Sequence, residues 1–222
     1  MQDSVYDTPI EISTSAMPTA SVIWLHGLGA DGRDFAAVVE MLNLPNIRFI
    51  LPHAPYQKVT VNNGYEMRAW YDIIGFNAAA KQDETGIEAS RAYIESLITH
   101  ESQRGINNNR IILAGFSQGG AIALHTALRQ QQALAGVLAL STYLPLHQQF
   151  STQKTSTSIS TPIFMAHGIS DEVITLERCK VSLAILQENE YQIEWHEYAM
   201  AHSVCPQEIN DIRAFLLHTL GN

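Results

Sequence analysis

Gly115-Phe116-Ser117-Gln118-Gly119 spells G-x-S-x-G, a pattern in which a serine on a sharp strand-to-helix turn is held out over the end of a sheet. The neighbouring sequence supplies that context, because Arg110 to Ala114 reads as a buried strand and an apolar helix begins at Gly120. Glycines at 115, 119 and 120 keep side chains away from a bend that other residues resist. An ordinary polar turn would lack such elements on both sides. Ser117 is therefore the candidate nucleophile, placed to attack a carbonyl.

A serine hydroxyl is a weak nucleophile at neutral pH, so it needs a base in hydrogen-bond reach and a third group to hold the base in one tautomer. On sheets of this kind the chain order is serine, acid, histidine, each beyond the end of a later strand. The run Pro162 to Ala166 leads into His167-Gly168-Ile169-Ser170-Asp171, which presents Asp171 as the acid, with Glu172 as its rival. The next run, Gln192 to Tyr198, opens into Ala199-Met200-Ala201-His202-Ser203 and puts His202 where the base belongs. The other histidines fit less well. His125, His196 and His218 fall inside regular elements, His100 and His147 read as surface residues, and His167 shares a turn with Asp171. His26 and His53 follow strand ends but precede Ser117, against the expected order.

Acyl transfer also needs amide N–H groups aimed at the developing oxyanion, worth about 3 to 4 kcal/mol in the transition state. The residue after the nucleophile, Gln118, supplies one amide; Leu28, in the glycine-bearing loop His26-Gly27-Leu28-Gly29, is the candidate for the other. That loop continues to Gly32 and matches the dinucleotide fingerprint G-x-G-x-x-G. The match is rejected. The following strand ends Phe49-Ile50-Leu51-Pro52-His53 without an acid for a ribose hydroxyl, and Asp31 and Asp34 would face a pyrophosphate. No cofactor is expected, and no metal, since H-E-x-x-H or comparable ligand spacing is missing.

The elements that must position these residues alternate. Strand-like runs at Ser21–Leu25, Arg48–Leu51, Arg110–Ala114, Gly136–Leu140, Pro162–Ala166 and Gln192–Tyr198 are mostly continuous and apolar, as suits strands covered on both faces. Helical periods fall between them at Asp34–Leu42, Glu84–His100, Gly120–Gln131, Leu176–Gln187 and Gln207–Leu220. The expectation is an α/β fold: one domain over residues 1–222, a mostly parallel central sheet with helices on both faces, and ligands at the carboxyl ends of the strands. Two stretches break the alternation. His53 to Phe76 is rich in aromatic residues and forms a candidate pocket wall or short lid, with Tyr65, Trp70 and Tyr71 as candidate substrate contacts. Gln148 to Ser160, polar and rich in Ser and Thr, reads as a mobile surface loop.

Composition narrows the partners. A chain of 222 residues, 46% hydrophobic and 16% charged, can bury one sizeable core. A formal net charge of -9 without a lysine and arginine cluster argues against nucleic acid or an anionic membrane surface as partner. Met1 to Pro9 carries no basic or apolar leader and no later run is long enough to span a bilayer, so a cytoplasmic protein without membrane insertion is expected. Two cysteines, Cys179 and Cys205, are too few for a disulfide scaffold, and reduced thiols are the default. Monomer and homodimer are both compatible with the sequence.

Taken together, LHGLGADG (Leu25 to Gly32), LPHAP (Leu51 to Pro55), RAWYDI (Arg68 to Ile73), GFSQGG (Gly115 to Gly120), HG-x-x-D (His167 to Asp171) and AHSVCPQEI (Ala201 to Ile209) resemble the carboxylesterase and acyl-protein thioesterase family of α/β-hydrolases, also described as phospholipase/carboxylesterases. RAWYDI is closer to the bacterial members. The resemblance covers nearly the whole chain and implies Ser117, Asp171 and His202 as a triad, with the amides of Leu28 and Gln118 as oxyanion hole. It implies hydrolysis of carboxylic esters of short to medium acyl chains, or of acyl thioesters, without a large lid domain. Two other readings stay open: a lysophospholipase or other lipid esterase, and a non-catalytic binding protein on the same fold. One departure is visible, Thr142 in Ser141-Thr142-Tyr143, where the family pattern leads one to expect glycine.

Overall fold

A computed structural model of the chain describes residues 5–75 and 80–221. Its strands are β1 (Ile10–Ser13), β2 (Ala20–Leu25), β3 (Ile47–Leu51), β4 (Tyr56–Val59), β5 (Tyr65–Arg68), β6 (Ile111–Phe116), β7 (Gly136–Leu140), β8 (Ile163–Gly168) and β9 (Ile193–Tyr198). Seven of these form one sheet in the order β1-β3-β2-β6-β7-β8-β9. Only β1, at an edge, runs antiparallel to its neighbour.

The central strands bury both faces because alternate side chains enter different cores. On β2, Ile23 and Leu25 join one cluster while Val22 and Trp24 join the other; Leu113 and Ile112 on β6, and Met165 and Phe164 on β8, divide the same way. Helices α2 (Glu84–Gln103), α3 (Gln118–Ala127), α4 (His147–Gln153) and α5 (Leu176–Glu188) contribute Ile87, Leu124, Phe150 and Leu186 to the first cluster. Helices α1 (Ala36–Leu42) and α6 (Pro206–Leu220) cover the second with Val39 and Phe215. This is the layered α/β-hydrolase architecture, and all six expected strands lie within two residues of their expected ends.

Two stretches depart from the sequence reading. Residues 148–160 are not a loop: α4 and a 3-10 turn at Thr157–Ser160 occupy them, with Phe150 fully buried. The buried Ser158 hydroxyl donates to the Leu128 carbonyl (3.0 Å) and meets the Tyr191 hydroxyl (2.7 Å). A single apolar anchor among polar residues leaves no period to read. The stretch from His53 contains the hairpin of β4 and β5, turned at Asn63 (φ 56°) and Gly64 (φ 72°). Asn-Gly was the available signal for that turn. Phe76, the last aromatic of the stretch, lies outside the described residues.

Candidate active site

β6 ends at Phe116, α3 begins at Gln118, and Ser117 alone makes the turn, with φ 54° and ψ -121°. A non-glycine residue in that region is strained and persists only when its surroundings fix it. They do so by crowding. A Cβ on Gly115 would stand 2.4 Å from the Gly119 carbonyl, and one on Gly119 would stand 2.4 Å from the Leu25 carbonyl oxygen. The Ser117 amide donates to the Leu140 carbonyl (2.9 Å), and its own carbonyl accepts the first bond of α3 from the Ala121 amide (3.1 Å).

The acid and base arrive from the ends of β8 and β9. His202 Nε2 lies 2.9 Å from Ser117 Oγ, and His202 Nδ1 lies 2.6 Å from Asp171 Oδ2. Asp171 is buried, and its Oδ1 accepts the amides of Val173 and Ile174, both at 2.9 Å. That leaves Oδ2 for the imidazole, which fixes its tautomer with Nε2 free to accept a proton from the serine. Gly168 lets the two loops meet. A Cβ there would fall 2.3 Å from the Ala201 carbonyl oxygen, and Ser170 donates to the Met200 carbonyl at 3.0 Å. Glu172, the rival acid, is exposed.

Most amides in the loop after β2 are already used: Gly29 donates to Arg68 O, Ala30 to Gly27 O, Gly32 to His53 Nδ1, Arg33 to Asp31 Oδ1 and Asp34 to Asp31 O. Among the described residues, no protein acceptor takes the amide of Leu28 or of Gln118. Both residues line, with Ser117 and His202, a cavity of about 300 Å³. A second cavity, of about 370 Å³, adjoins it across a shared wall that includes Tyr71, Ile73, Tyr143 and Arg178. Of the three aromatic residues proposed as substrate contacts, only Tyr71 lines these cavities. Trp70 is buried behind it, its indole N–H donating to His26 O at 2.9 Å, and Tyr65 stands exposed on the hairpin. Tyr65 lies at the exposed start of β5, whereas Tyr71 lies three residues past the end of that strand, on the cavity wall.

The model of one family, phospholipase/carboxylesterase, matches residues 9–220. The chain belongs to that family. It is 39% identical over 224 residues to acyl-protein thioesterase 1 of Neurospora crassa, covering 96% of this chain and 91% of that protein. It is 40% identical over 217 residues to acyl-protein thioesterase 1 of Mycosarcoma maydis, covering 90% of each. The solved structure of Zea mays acyl-protein thioesterase 2 superposes with a TM-score of 0.88 at 25% identity, covering 97% of this chain and 100% of that one. The protein is thus an α/β-hydrolase of the esterase and thioesterase type.

Several residues of this hydrolase support the site without having been assigned that task from sequence. Thr142, the departure from the family pattern, is fully buried, and its hydroxyl donates to the Ser117 carbonyl at 2.6 Å. Its side chain also fills the space beside Gly120. Gln118 adds a side-chain clamp to its amide: Oε1 accepts from Trp70 N (2.8 Å) and Nε2 donates to Tyr71 O (2.7 Å). His26 donates from Nδ1 to Gly27 O (2.7 Å) and accepts the Ala54 amide at Nε2 (3.0 Å), while burial pushes its pKa down to about 4. Burial also lowers the pKa of His53 and of His167, whose Nε2 donates to Ile174 O at 2.7 Å. These are neutral rings that brace the loops carrying Leu28 and Asp171. Spacing alone could not separate them from a base; partners and burial do. Among the described residues no group of three or more His, Cys, Asp or Glu could hold a metal ion.

Proposed function

We propose that this hydrolase cleaves carboxylic esters, and acyl thioesters, of short to medium chain length through an acyl-enzyme on Ser117. His202 takes the Ser117 proton as Oγ attacks the acyl carbonyl, then gives it to the departing alcohol or thiol. Water, deprotonated by the same imidazole, attacks the acyl-enzyme and releases the carboxylic acid and free serine. Asp171 holds the ring and stabilises its cation; the amides of Leu28 and Gln118 receive the oxyanion. The observation that carries this reading is the unbroken relay from Asp171 Oδ2 through His202 to Ser117 Oγ, at 2.6 and 2.9 Å. A non-catalytic binding protein would have no need of it.

Thioester substrates enter through the relatives, which are named acyl-protein thioesterases. The apolar lining of the cavities, from Ile73 and Phe116 to Leu144 and Val181, suits an acyl chain. One domain, residues 1–222, carries every participant, so the chemistry needs no residue from a partner whether the protein is a monomer or a homodimer. Two unpaired thiols, Cys179 and Cys205, agree with a reducing, cytoplasmic setting. No helix among the described residues is long and apolar enough to cross a membrane.

The test is a rate comparison over esters and matched thioesters of increasing acyl length, with Ser117→Ala as blank. Turnover should peak at short to medium chains and fall in the blank by several orders of magnitude, on the order of 10⁶ by analogy with other triads. Retained turnover in the blank would overturn the assignment.

A further inference from the structure

The cavity at Ser117 is lined by charged residues of both signs. Asp34, exposed, lines only the Ser117 cavity. Arg178 lies on the wall where that cavity meets the second one. It sits in the first turn of α5, and its guanidinium carbon stands 3.7 Å from the centre of the Tyr143 ring. Tyr143 is itself fixed, buried with its hydroxyl 2.8 Å from that of Tyr71. Stacking of this kind holds a long side chain in place while leaving its N–H fork open.

Among the described residues that fork has no protein acceptor. Arg33, Arg48, Arg68, Arg91, Arg104, Arg110, Arg129 and Arg213 each donate a side-chain hydrogen bond. Among the described residues Arg178 is the one arginine that does not, and it forms no ion pair. The acids around it do not compensate. Asp72, on the second cavity, spends both carboxylate oxygens on Thr60, accepting its amide and its hydroxyl. Glu177 and Lys81, also on that cavity, are exposed and opposite in sign. A half-buried guanidinium with five unused donors is matched by a planar anion, and a carboxylate fits the fork with two parallel bonds.

We propose that Arg178 binds a carboxylate at the far end of the acyl chain, so that the favoured substrates are esters or thioesters of a dicarboxylic acid acylated through one end. This rests on the acyl-enzyme reading above. The acyl group is the part that stays on Ser117 while the leaving group departs and water enters, so it occupies the apolar wall leading to Arg178. The leaving group lies toward the exposed mouth at Asp34, which repels a second anion there. The products are the free dicarboxylate and the alcohol or thiol.

The experiment compares kcat/KM, followed by acid release, for monobutyl esters of dicarboxylic acids against butyl esters of monocarboxylic acids of equal chain length. A third set carries the carboxylate on the alcohol side instead. Native protein, Arg178→Met and Arg178→Lys are measured, and the ratio of anionic to neutral ester is taken within each preparation, so that loss of folded protein cancels. The native ratio for acyl-side carboxylates should exceed one at some chain length, fall about tenfold or more in Arg178→Met, and recover in part in Arg178→Lys, as one charge-assisted bond predicts. A ratio unchanged in Arg178→Met, a native ratio below one at every length, or equal preference for the alcohol-side carboxylate would overturn it. Ser117→Ala, run on the same esters, separates the two readings: if it is silent while the ratio does not respond to Arg178, only the carboxylate proposal fails.

Discussion

The turn that carries Ser117 and the wall that carries Tyr143 and Arg178 border the same cavity, yet they are built on opposite terms. At the turn, backbone approaches backbone so closely that Gly115 and Gly119 admit no Cβ, and Thr142 fills the remaining space. At the wall, side chains meet one another, through a tyrosine hydroxyl pair and a stacked guanidinium, and that cation has no acceptor among the described residues. Crowded backbone fixes a reacting atom to within tenths of an ångström, while a side-chain wall can change its chemistry without moving the nucleophile. The turn should therefore govern kcat and the wall should govern which acyl group is accepted.

The contrast can be broken by substitutions on either side. Short of removing Ser117 itself, the largest effect is expected from Asp171→Asn, which keeps the shape but favours the wrong imidazole tautomer; kcat should fall on the order of 10⁴. Gly119→Ala comes next. Its methyl meets the Leu25 carbonyl oxygen at 2.4 Å, so steady-state assays should find kcat down by about 10²-fold or more and urea titration should find a loss of about 1 to 3 kcal/mol. Thr142→Val removes the 2.6 Å bond to the Ser117 carbonyl while keeping volume. A drop in kcat of about tenfold with KM little changed, and about 1 kcal/mol of stability lost, is expected. If KM rose instead, Thr142 would belong to the wall. Tyr143→Phe deletes one partner of the hydroxyl pair, and a chain-length panel should show a shift in preference of a few-fold at nearly constant kcat for the best substrate.

The smallest effect is on the pH dependence of folding. Burial pushes His26 and His125 down to about 4, below the ordinary imidazole value near 6.5. The unfolded chain then binds more protons than the folded one between those limits, so these residues add stability above about pH 6.5 that is lost as pH falls toward 4. Replacing His26 with Gln, which can still bridge Gly27 and Ala54, should flatten that slope in urea titrations at pH 4.5 and 7. An unchanged slope would mean that His26 is not held neutral.

The same division explains what could be read from the chain itself. Ser117 and Asp171 were legible because each follows a continuous apolar strand, and His202 because it follows the alternating run of β9 in the expected chain order; strand ends on a parallel sheet converge. The turn was legible because its glycines have no substitute. The wall was not, since Trp70 and Tyr71 are adjacent and equally aromatic, yet only Tyr71 faces the cavity, and Tyr65 faces solvent. No local pattern distinguishes them; the placement of the β4–β5 hairpin does. Thr142 could be flagged only as an odd residue, because its partner, the Ser117 carbonyl, lies 25 positions away in sequence. Arg178 carried no signal at all, as a cation without an acceptor among the described residues is recognised only from the placement of its neighbours.

Every step proposed for this hydrolase passes through an acyl-enzyme on Ser117. Native protein mixed with a short-chain ester, quenched within the first turnovers and examined intact and after digestion by mass spectrometry, should carry the mass of one acyl group on the peptide containing Ser117, and His202→Ala should form that adduct far more slowly. An acyl group on any other residue, or steady turnover by a protein in which Ser117 is never acylated, would contradict it.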